Sequence, residues 1–361
     1  MNYSFIKILE VLVAGRGLAL ATVVEAEGST PQVAGASAIF SETGLVAGTV
    51  GGGVLEARVE AIAREALRDG RARLVPFRLD ADPADIEGAT CGGAATVLVD
   101  PGVERDREAF AEALEGCRRD RPGLLFTAVR TVDRDVVSVK RRWAVLGPAT
   151  DGPRADAEGA GPRPETGDLP GDVRSIQAGR GGWPRLVKGE TGLTFAELVE
   201  PLPRLVIAGA GHVGRALARL GRLLDFHVTV IDDRAEYANK DNVPEADEIV
   251  VGEFGPAIAS LPSSAEDYYV IVTRGHQKDG EALRAALGKP SVYLGMIGSK
   301  TKVETMRRAF LAKGWATEKE WAGVRAPIGL EIGSKTVEEI AVSIAAELVL
   351  FRGRLKTGAR K

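Results

Sequence analysis

The sequence predicts an α/β protein: a mixed α+β N-terminal domain followed by a C-terminal domain built on a parallel sheet. Three observations predict it. The chain has 361 residues, more than one typical domain of about 150 residues, so two or three compact units are expected. From Pro203 onward, apolar runs alternate with helical segments, the pattern of right-handed crossovers in a parallel sheet. The third observation is the glycine turn Gly209-Ala210-Gly211-His212-Val213-Gly214, set between an apolar run and a helical stretch. The expected division is an N-terminal domain over 1–146, a Gly/Pro-rich linker with connecting strands over 147–200, and the C-terminal domain over 201–361.

Each element has its own signal. Phe5, Ile8, Leu9 and Leu12 share one helical face, and Lys7 and Glu10 interrupt the apolar run. Residues 4–14 therefore read as an amphipathic helix rather than a leader peptide. Leu18 to Val24 reads as a strand closed by the loop Gly28-Ser29-Thr30-Pro31. A hairpin follows, with strands Ser37 to Ser41 and Leu45 to Ala47 turned by Glu42-Thr43-Gly44. After the cluster Gly48-Thr49-Val50-Gly51-Gly52-Gly53 the spacing from Val54 to Leu67 is helical. Strands are expected near 72–79, 95–99, 124–129 and 136–145, with a helix near 105–117. Gly147 to Gly182 is rich in Gly, Pro, Asp and Arg and reads as a linker or surface excursion. In the C-terminal half, strands are expected at 205–208, 228–231, 248–251, 268–272 and 292–294, with a helix from Val213. Thr336-Val337-Glu338-Glu339 is a capping-box pattern that opens a closing helix through Ile340, Ile344, Ala345 and Leu348.

Composition narrows the function classes. Hydrophobic residues make up 45% and charged residues 27% of the chain, values of an ordinary globular protein that argue against disorder or a fibrous repeat. The net charge of -3 is spread along the sequence, so no basic footprint calls for nucleic acid or an anionic membrane. No apolar run approaches the roughly 20 residues of a membrane span. Cys91 and Cys117 are the only cysteines, too few for a disulfide framework or a thiolate-only metal site. A reducing, cytoplasmic location is the expectation.

The chemistry gathers at glycines. In the turn, Gly209 permits a tight bend, Gly211 lets a pyrophosphate approach the backbone, and Gly214 lets the helix pack on the sheet. The helix N-terminus supplies N–H groups and partial positive charge. Asp232 ends the next strand at the spacing of a Rossmann dinucleotide fingerprint, where a carboxylate accepts from a ribose 2′-hydroxyl. A Rossmann fold that keeps the turn without a nucleotide is the plainer alternative.

Two further segments reach the same sheet edge. Thr273-Arg274-Gly275-His276-Gln277-Lys278-Asp279 brings Arg274 and His276 there, although a loop histidine also serves as a solvated or helix-capping residue. Gly295-Met296-Ile297-Gly298-Ser299-Lys300 is another glycine turn entering a helix, with Gly298 and Ser299 suited to a second anionic group. In the N-terminal half, Gly51, Gly52 and Gly53 offer backbone N–H groups before a helix, and Glu56 stands in its first turn. Cys91-Gly92-Gly93 reads either as a small buried hydrophobe or as a thiol exposed by its glycines. The only histidines, His212, His227 and His276, lack zinc-type spacing. No Gly-x-Ser-x-Gly elbow or Walker lysine is present.

Together these motifs resemble the xanthine dehydrogenase accessory family, also called XdhC/CoxI. The resemblance rests on Gly28-Ser29-Thr30-Pro31, on Gly48-Thr49-Val50-Gly51-Gly52-Gly53-Val54-Leu55-Glu56, and on Cys91-Gly92-Gly93. It continues with the turn at Gly209, Thr273-Arg274-Gly275-His276 with Asp279, and Tyr293-Leu294-Gly295-Met296-Ile297-Gly298-Ser299. It closes with Ala326-Pro327-Ile328-Gly329-Leu330-Glu331-Ile332-Gly333 and the run Glu338 to Ile344. Only the region around 102–200 is not covered. The resemblance implies a protein without its own turnover that binds molybdenum cofactor as molybdopterin or its dinucleotide form. It further implies cofactor sulfuration with a cysteine desulfurase, delivery to a xanthine dehydrogenase-like molybdoenzyme, and a homo-oligomer. Cys91 would then stand near the molybdenum. Val54 stands where many relatives carry a cysteine. The other readings are an NAD(P)-dependent oxidoreductase, which Gly209 to Asp232 alone would favour, and an interaction protein with a vestigial nucleotide site.

Overall fold

The computed structural model describes residues 5–78, 92–146 and 183–356. The chain divides into two compact units, Met1–Pro201 and Leu202–Lys361.

The first unit opens with helix α1 (Phe5–Ala14), whose buried face is Phe5, Ile8, Leu9 and Leu12. Strands β1 (Ala19–Gly28), β2 (Ser37–Ser41) and β3 (Gly44–Gly48) follow. β1 runs on through Gly28, and Gly44 belongs to β3, so the hairpin turns on Glu42-Thr43 alone. Helix α2 (Gly53–Asp69), β4 (Arg73–Arg78) and β5 (Gly93–Asp100) complete a sheet of order β3-β2-β1-β5-β4. Gly28 pairs with Gly93 across β1 and β5. A Cβ on Gly93 would lie 2.5 Å from the Ser29 carbonyl oxygen, so this glycine serves close strand approach.

A short 3-10 turn (Val103–Asp106) leads into α3 (Arg107–Arg118) and then β6 (Gly123–Val132) and β7 (Asp135–Val145). Strands β8 (Arg185–Gly189) and β9 (Gly192–Val199) join them in a second antiparallel sheet of order β7-β6-β9-β8. β8 and β9 thus belong to the first unit, and the division falls after Pro201. The strand alternation puts Ala21, Val23, Val97 and Val99 against α2, and Val24 and Leu98 against Val129, Val139 and Phe195 of the second sheet. α1 and α3 cover the remaining apolar surface through Leu9, Leu12, Phe110 and Leu114.

The second unit alternates strands and helices: β10 (Arg204–Ala208), α4 (His212–Leu223), β11 (His227–Asp232), β12 (Glu248–Val251), α5 (Phe254–Ser260), β13 (Tyr268–Ile271), α6 (His276–Leu287) and β14 (Tyr293–Met296). Helices α7 (Lys300–Ala312), α8 (Glu318–Ala322) and α9 (Val337–Lys356) close it. All strand pairs are parallel, in the order β12-β11-β10-β13-β14. The predicted parallel Rossmann-type sheet is therefore present. Burial on both faces explains the near-continuous apolar strands. Leu217 and Ala218 of α4 and Ile344 and Leu348 of α9 cover one face, and α5 to α8 cover the other. The strand order reverses between β10 and β13, the place where ligands bind such sheets. Among the described residues no helix is long and apolar enough to cross a membrane.

Candidate functional site

Three helices begin at the carboxyl edge of three adjacent strands, β10, β13 and β14. The first helical bond of α4 runs from Arg215 N–H to Gly211 O, that of α6 from Asp279 to Gly275, and that of α7 from Val303 to Ser299. Ahead of each, N–H groups such as those of His212, Val213, His276 and Gln277 have no intrahelical acceptor. Neighbouring strands are about 4.8 Å apart, so the three termini span about 10 Å of edge. Their partial positive charges add at one place.

The glycines of the first turn divide the work. Gly209 has φ +118°, and a Cβ there would stand 2.5 Å from the Val272 carbonyl oxygen. A Cβ on Gly214 would lie 1.8 Å from the Gly209 carbonyl, so helix and strand pack backbone to backbone. Nothing approaches the equivalent point on Gly211, which leaves open room above the helix start. His212 and His276 each occupy the first position of their helix, at the mouth of this edge. Ser299 caps α7 by accepting from Lys302 N–H, and Gly298 precedes it.

Asp232 ends β11 as expected, and its carboxylate is already engaged. It accepts from Ala210 N–H at 2.8 Å and from Arg234 through the backbone N–H at 3.1 Å, Nε at 2.9 Å and Nη2 at 3.1 Å. Burial acts to raise its pKa, but the bonds from Arg234 and Ala210 outweigh it and hold the carboxyl below its ordinary value. Asn242 grips the same turn, donating to Ala210 O at 2.9 Å. A ribose hydroxyl reaches Asp232 only if the Arg234 fork lets go.

The second loop is tied down from within. Asp279 is fully buried, accepting from Thr273 Oγ1 at 2.6 Å, from Thr273 N–H at 3.2 Å, and from the Lys302 ammonium. It thereby links the loop after β13 to α7. Arg274 is half exposed and lies 3.3 Å from Asp233. The block Ala326 to Gly333 is pinned to α9, since Glu347 accepts from Gly329 N–H at 2.8 Å and Tyr293 Oη at 2.5 Å.

In the first unit, the Gly51-Gly52-Gly53 cluster enters α2 with φ of +137°, +68° and +53°. Glu56 reaches back over it, accepting from Thr49 Oγ1 at 2.6 Å and Val50 N–H at 3.2 Å. A Cβ on Gly51 would press on Pro31 at 2.9 Å, whereas nothing stands near Gly52 or Gly53. Val54 follows, 40% exposed beside the open glycines. Gly92 is exposed, and Cys91 lies outside the described residues. Cys117 is a free thiol, buried on α3 with Sγ 3.6 Å from Glu200 O. Burial, reinforced by Glu200, pushes it up to about 12. Among the described residues no cluster of three or more His, Cys, Asp or Glu could hold a metal ion.

Thus the loops carrying Gly209, Gly211, His212, Gly214, Arg274, His276, Gly298 and Ser299 all reach one sheet edge, while Gly51 to Gly53 belong to the other unit. Asn242 and Lys302, which position that edge, do not stand out in the sequence; Arg234 is visible two residues past Asp232, but its fold-back onto that carboxylate is not.

Models of known families match segments in both units. A model described as XdhC Rossmann domain matches residues 205–348, and one described as XdhC and CoxI family matches residues 11–78. The chain is 26% identical over 341 residues to the uncharacterized protein YqeB of Escherichia coli, covering 94% of this chain but spanning only 44% of that relative. It is 26% identical to a probable xanthine dehydrogenase subunit of Bacillus subtilis, over 93% of each chain. It is 25% identical to the molybdenum cofactor insertion chaperone PaoD of Escherichia coli, over 95% of this chain and 86% of the other. A crystal structure described as a xanthine dehydrogenase from Bacillus halodurans shares the fold, with a TM-score of 0.75 and 24% identity over 99% of this chain and 97% of that one.

Proposed function

The chain belongs to the XdhC and CoxI family, and from that premise we propose that it is an accessory protein that holds molybdenum cofactor for a xanthine dehydrogenase-type enzyme. The observation that carries the reading is the edge where α4, α6 and α7 begin side by side. Such an edge suits a phosphate or pyrophosphate, the anionic part of molybdopterin or of its dinucleotide form. The donor set fits a cofactor held through its phosphate end: backbone N–H groups with open space at Gly211 and Gly275, and Arg274 close by. When bound, the cofactor supplies the metal and sulfur chemistry that the client enzyme uses. The chain's own part is to grip the anion, to orient it through the turns fixed by Asp232 and Asp279, and to present it. The name of the PaoD relative accords with this role.

Sulfuration of the cofactor, with a cysteine desulfurase as donor, is part of the same proposal. Cys117 is unsuited to carry sulfur, because the thiolate is the reactive form and burial pushes this thiol up to about 12. Cys91 is the other cysteine of the chain.

The test is mass spectrometry of ligand released from freshly purified protein, wild type against Gly211→Asp. Asp is a good N-cap residue, so the helix is preserved while its carboxylate repels an anion. Molybdopterin or its dinucleotide is expected from the wild type, and about tenfold less from the variant, a loss of about 1.4 kcal/mol of binding. Equal amounts from both would move the cofactor away from this edge.

The same turn read alone favours NAD(P). Against that reading stands Asp232, whose carboxylate is filled by Ala210 and Arg234. A fluorescence titration with NADH discriminates: tight binding with turnover of a small substrate would replace the accessory role with an oxidoreductase.

A further inference from the structure

The carboxyl end of β11 carries two acids in succession, and only the first is filled. Asp232 takes four hydrogen bonds, from Ala210 and Arg234. Asp233 is also largely buried, with its side chain 11% exposed. Among the described residues no donor bonds to its Oδ1, which is shut off from solvent. Arg234 Nε stands 3.9 Å away, beyond bonding distance, because that guanidinium is committed to Asp232 and lies 3.7 Å over the Tyr237 ring. The other oxygen, Oδ2, faces Arg274 at 3.3 Å and Lys278 at 3.6 Å. Lys278 is held by Glu253 and Glu281 as well. A buried acceptor without a donor is costly, and in a native structure it marks a group with a further role.

The place of Asp233 supplies that role. Asp233 follows β11, Arg274 follows β13, and β10 lies between those strands. The pair therefore reaches across the carboxyl end of β10, where the strand order reverses. The glycine turn that starts α4 leaves the same strand end, and Asp232 ties it to the end of β11 through Ala210. A ligand whose phosphates rest on that turn has its next atoms beside Asp233. Arg274 is the exposed member of the pair, 54% against 11%, so turning this one side chain outward opens the carboxylate to the crevice.

The chemistry of the group decides what it meets. An ionised carboxylate only accepts hydrogen bonds and repels a phosphate, so its ligand is a neutral donor. A ribose presents two adjacent hydroxyls, and it stands next to the pyrophosphate in a nucleoside diphosphate group. Acids at this strand end take ribose hydroxyls in dinucleotide-binding sheets. We infer that Asp233, in place of Asp232, accepts from the ribose hydroxyls of a nucleoside diphosphate group whose phosphates lie on the helix starts. The inference rests on the reading of this edge as an anion site, and it narrows the cofactor to its dinucleotide form.

The experiment is isothermal titration calorimetry of the full chain with pyrophosphate, with guanosine and cytidine diphosphate, and with the 2′,3′-dideoxy forms of both nucleotides. In the wild type the ribonucleotides should bind about tenfold more tightly than their dideoxy forms. This comparison needs no variant. Asp233→Ala should erase the difference while pyrophosphate binds at least as well, because Arg274 is released; a residue needed only for folding would weaken both. Equal binding of the ribo and dideoxy forms, or a ribose preference that survives in Asp233→Ala, overturns the inference and leaves the anion site standing. If pyrophosphate does not bind the wild type, the anion reading of the edge falls and the inference falls with it. NADH binding more tightly than either diphosphate also overturns it, in favour of a pyridine dinucleotide.

Discussion

The two glycine turns that enter helices, Gly51 to Gly53 before α2 and Gly209 to Gly214 before α4, are alike in sequence and held in different ways. The first is secured by its neighbours: Glu56 folds back onto Thr49 and Val50, all within seven positions of one another. The second is secured by distant residues, Asp232 and Asn242, and by Val272 pressing on Gly209. In the first, glycine serves conformation, since Gly52 and Gly53 have positive φ with empty space around them. In the second it serves contact, because backbone stands where a side chain would be. Local bonds set a loop's shape, whereas a turn clamped between strands also takes its place from the sheet.

The largest expected effect tests that distinction. Gly214→Ala places a Cβ 1.8 Å from the Gly209 carbonyl oxygen, so strand and helix must separate. A loss of about 3–5 kcal/mol is expected, the range of severe core strain, read as a lowered melting temperature. Gly52→Ala meets no atom and carries only its backbone strain at φ +68° and ψ -177°, a region essentially confined to glycine, which costs about 1–3 kcal/mol. Equal losses from the two variants would break the comparison.

The next two predictions set a carboxyl group of one unit against one of the other, with opposite pH behaviour. Glu197 on β9 is buried, and burial pushes its carboxyl up to about 8 despite the opposing Arg141. Its folded-state pKa exceeds the unfolded one, so the stability it allows is complete below about pH 4.5 and is lost as pH rises through about 8. Glu197→Gln should remove that loss, leaving the variant about 2–4 kcal/mol more stable than the wild type above pH 8 and little changed in acid. Denaturant melts across the pH range measure it. Asp232 behaves in reverse: its folded pKa is depressed, so its contribution holds above the unfolded value and fades as pH falls through the folded one. Asp232→Asn should cost about 2 kcal/mol at neutral pH, the worth of hydrogen bonds to a charged group, and shrink toward the wild type in acid. A constant difference at all pH would mean that packing, not charge, sets the effect.

Much of the fold was legible because local signals and the tertiary answer agreed. Parallel strands buried on both faces read as apolar runs, and Thr336 and Glu339 announced the start of α9 with the reciprocal bonds they form. The ends of β1 and β3 were less legible. Gly28 and Gly44 are turn formers by local preference, and pairing with Gly93 and Ser41 overrides that preference. The site divided along the same line. The glycine turns stand out in the sequence, but the assignment of Asp232 to a ribose followed from spacing, and spacing does not show that Arg234 folds back onto it. Lys302 was hidden for a similar reason: its partner Asp279 lies 23 positions away, and only the sheet brings β13 and β14 together.

The smallest expected effect falls on the loop held by its neighbours. Glu56→Ala removes two bonds, from the Thr49 hydroxyl and the Val50 N–H, and a negative charge from the first turn of α2. Its cost should be about 1 kcal/mol, because solvent can replace part of what is lost at a half-buried position. Hydrogen exchange locates the change better than a melt does. The amide of Val50 and the first turn of α2 should exchange faster, while Ala210, clamped by the Asp232 carboxylate, should keep its protection. If Ala210 loosens as well, the two turns are coupled, and the division between a loop held by its neighbours and a turn held by its sheet fails.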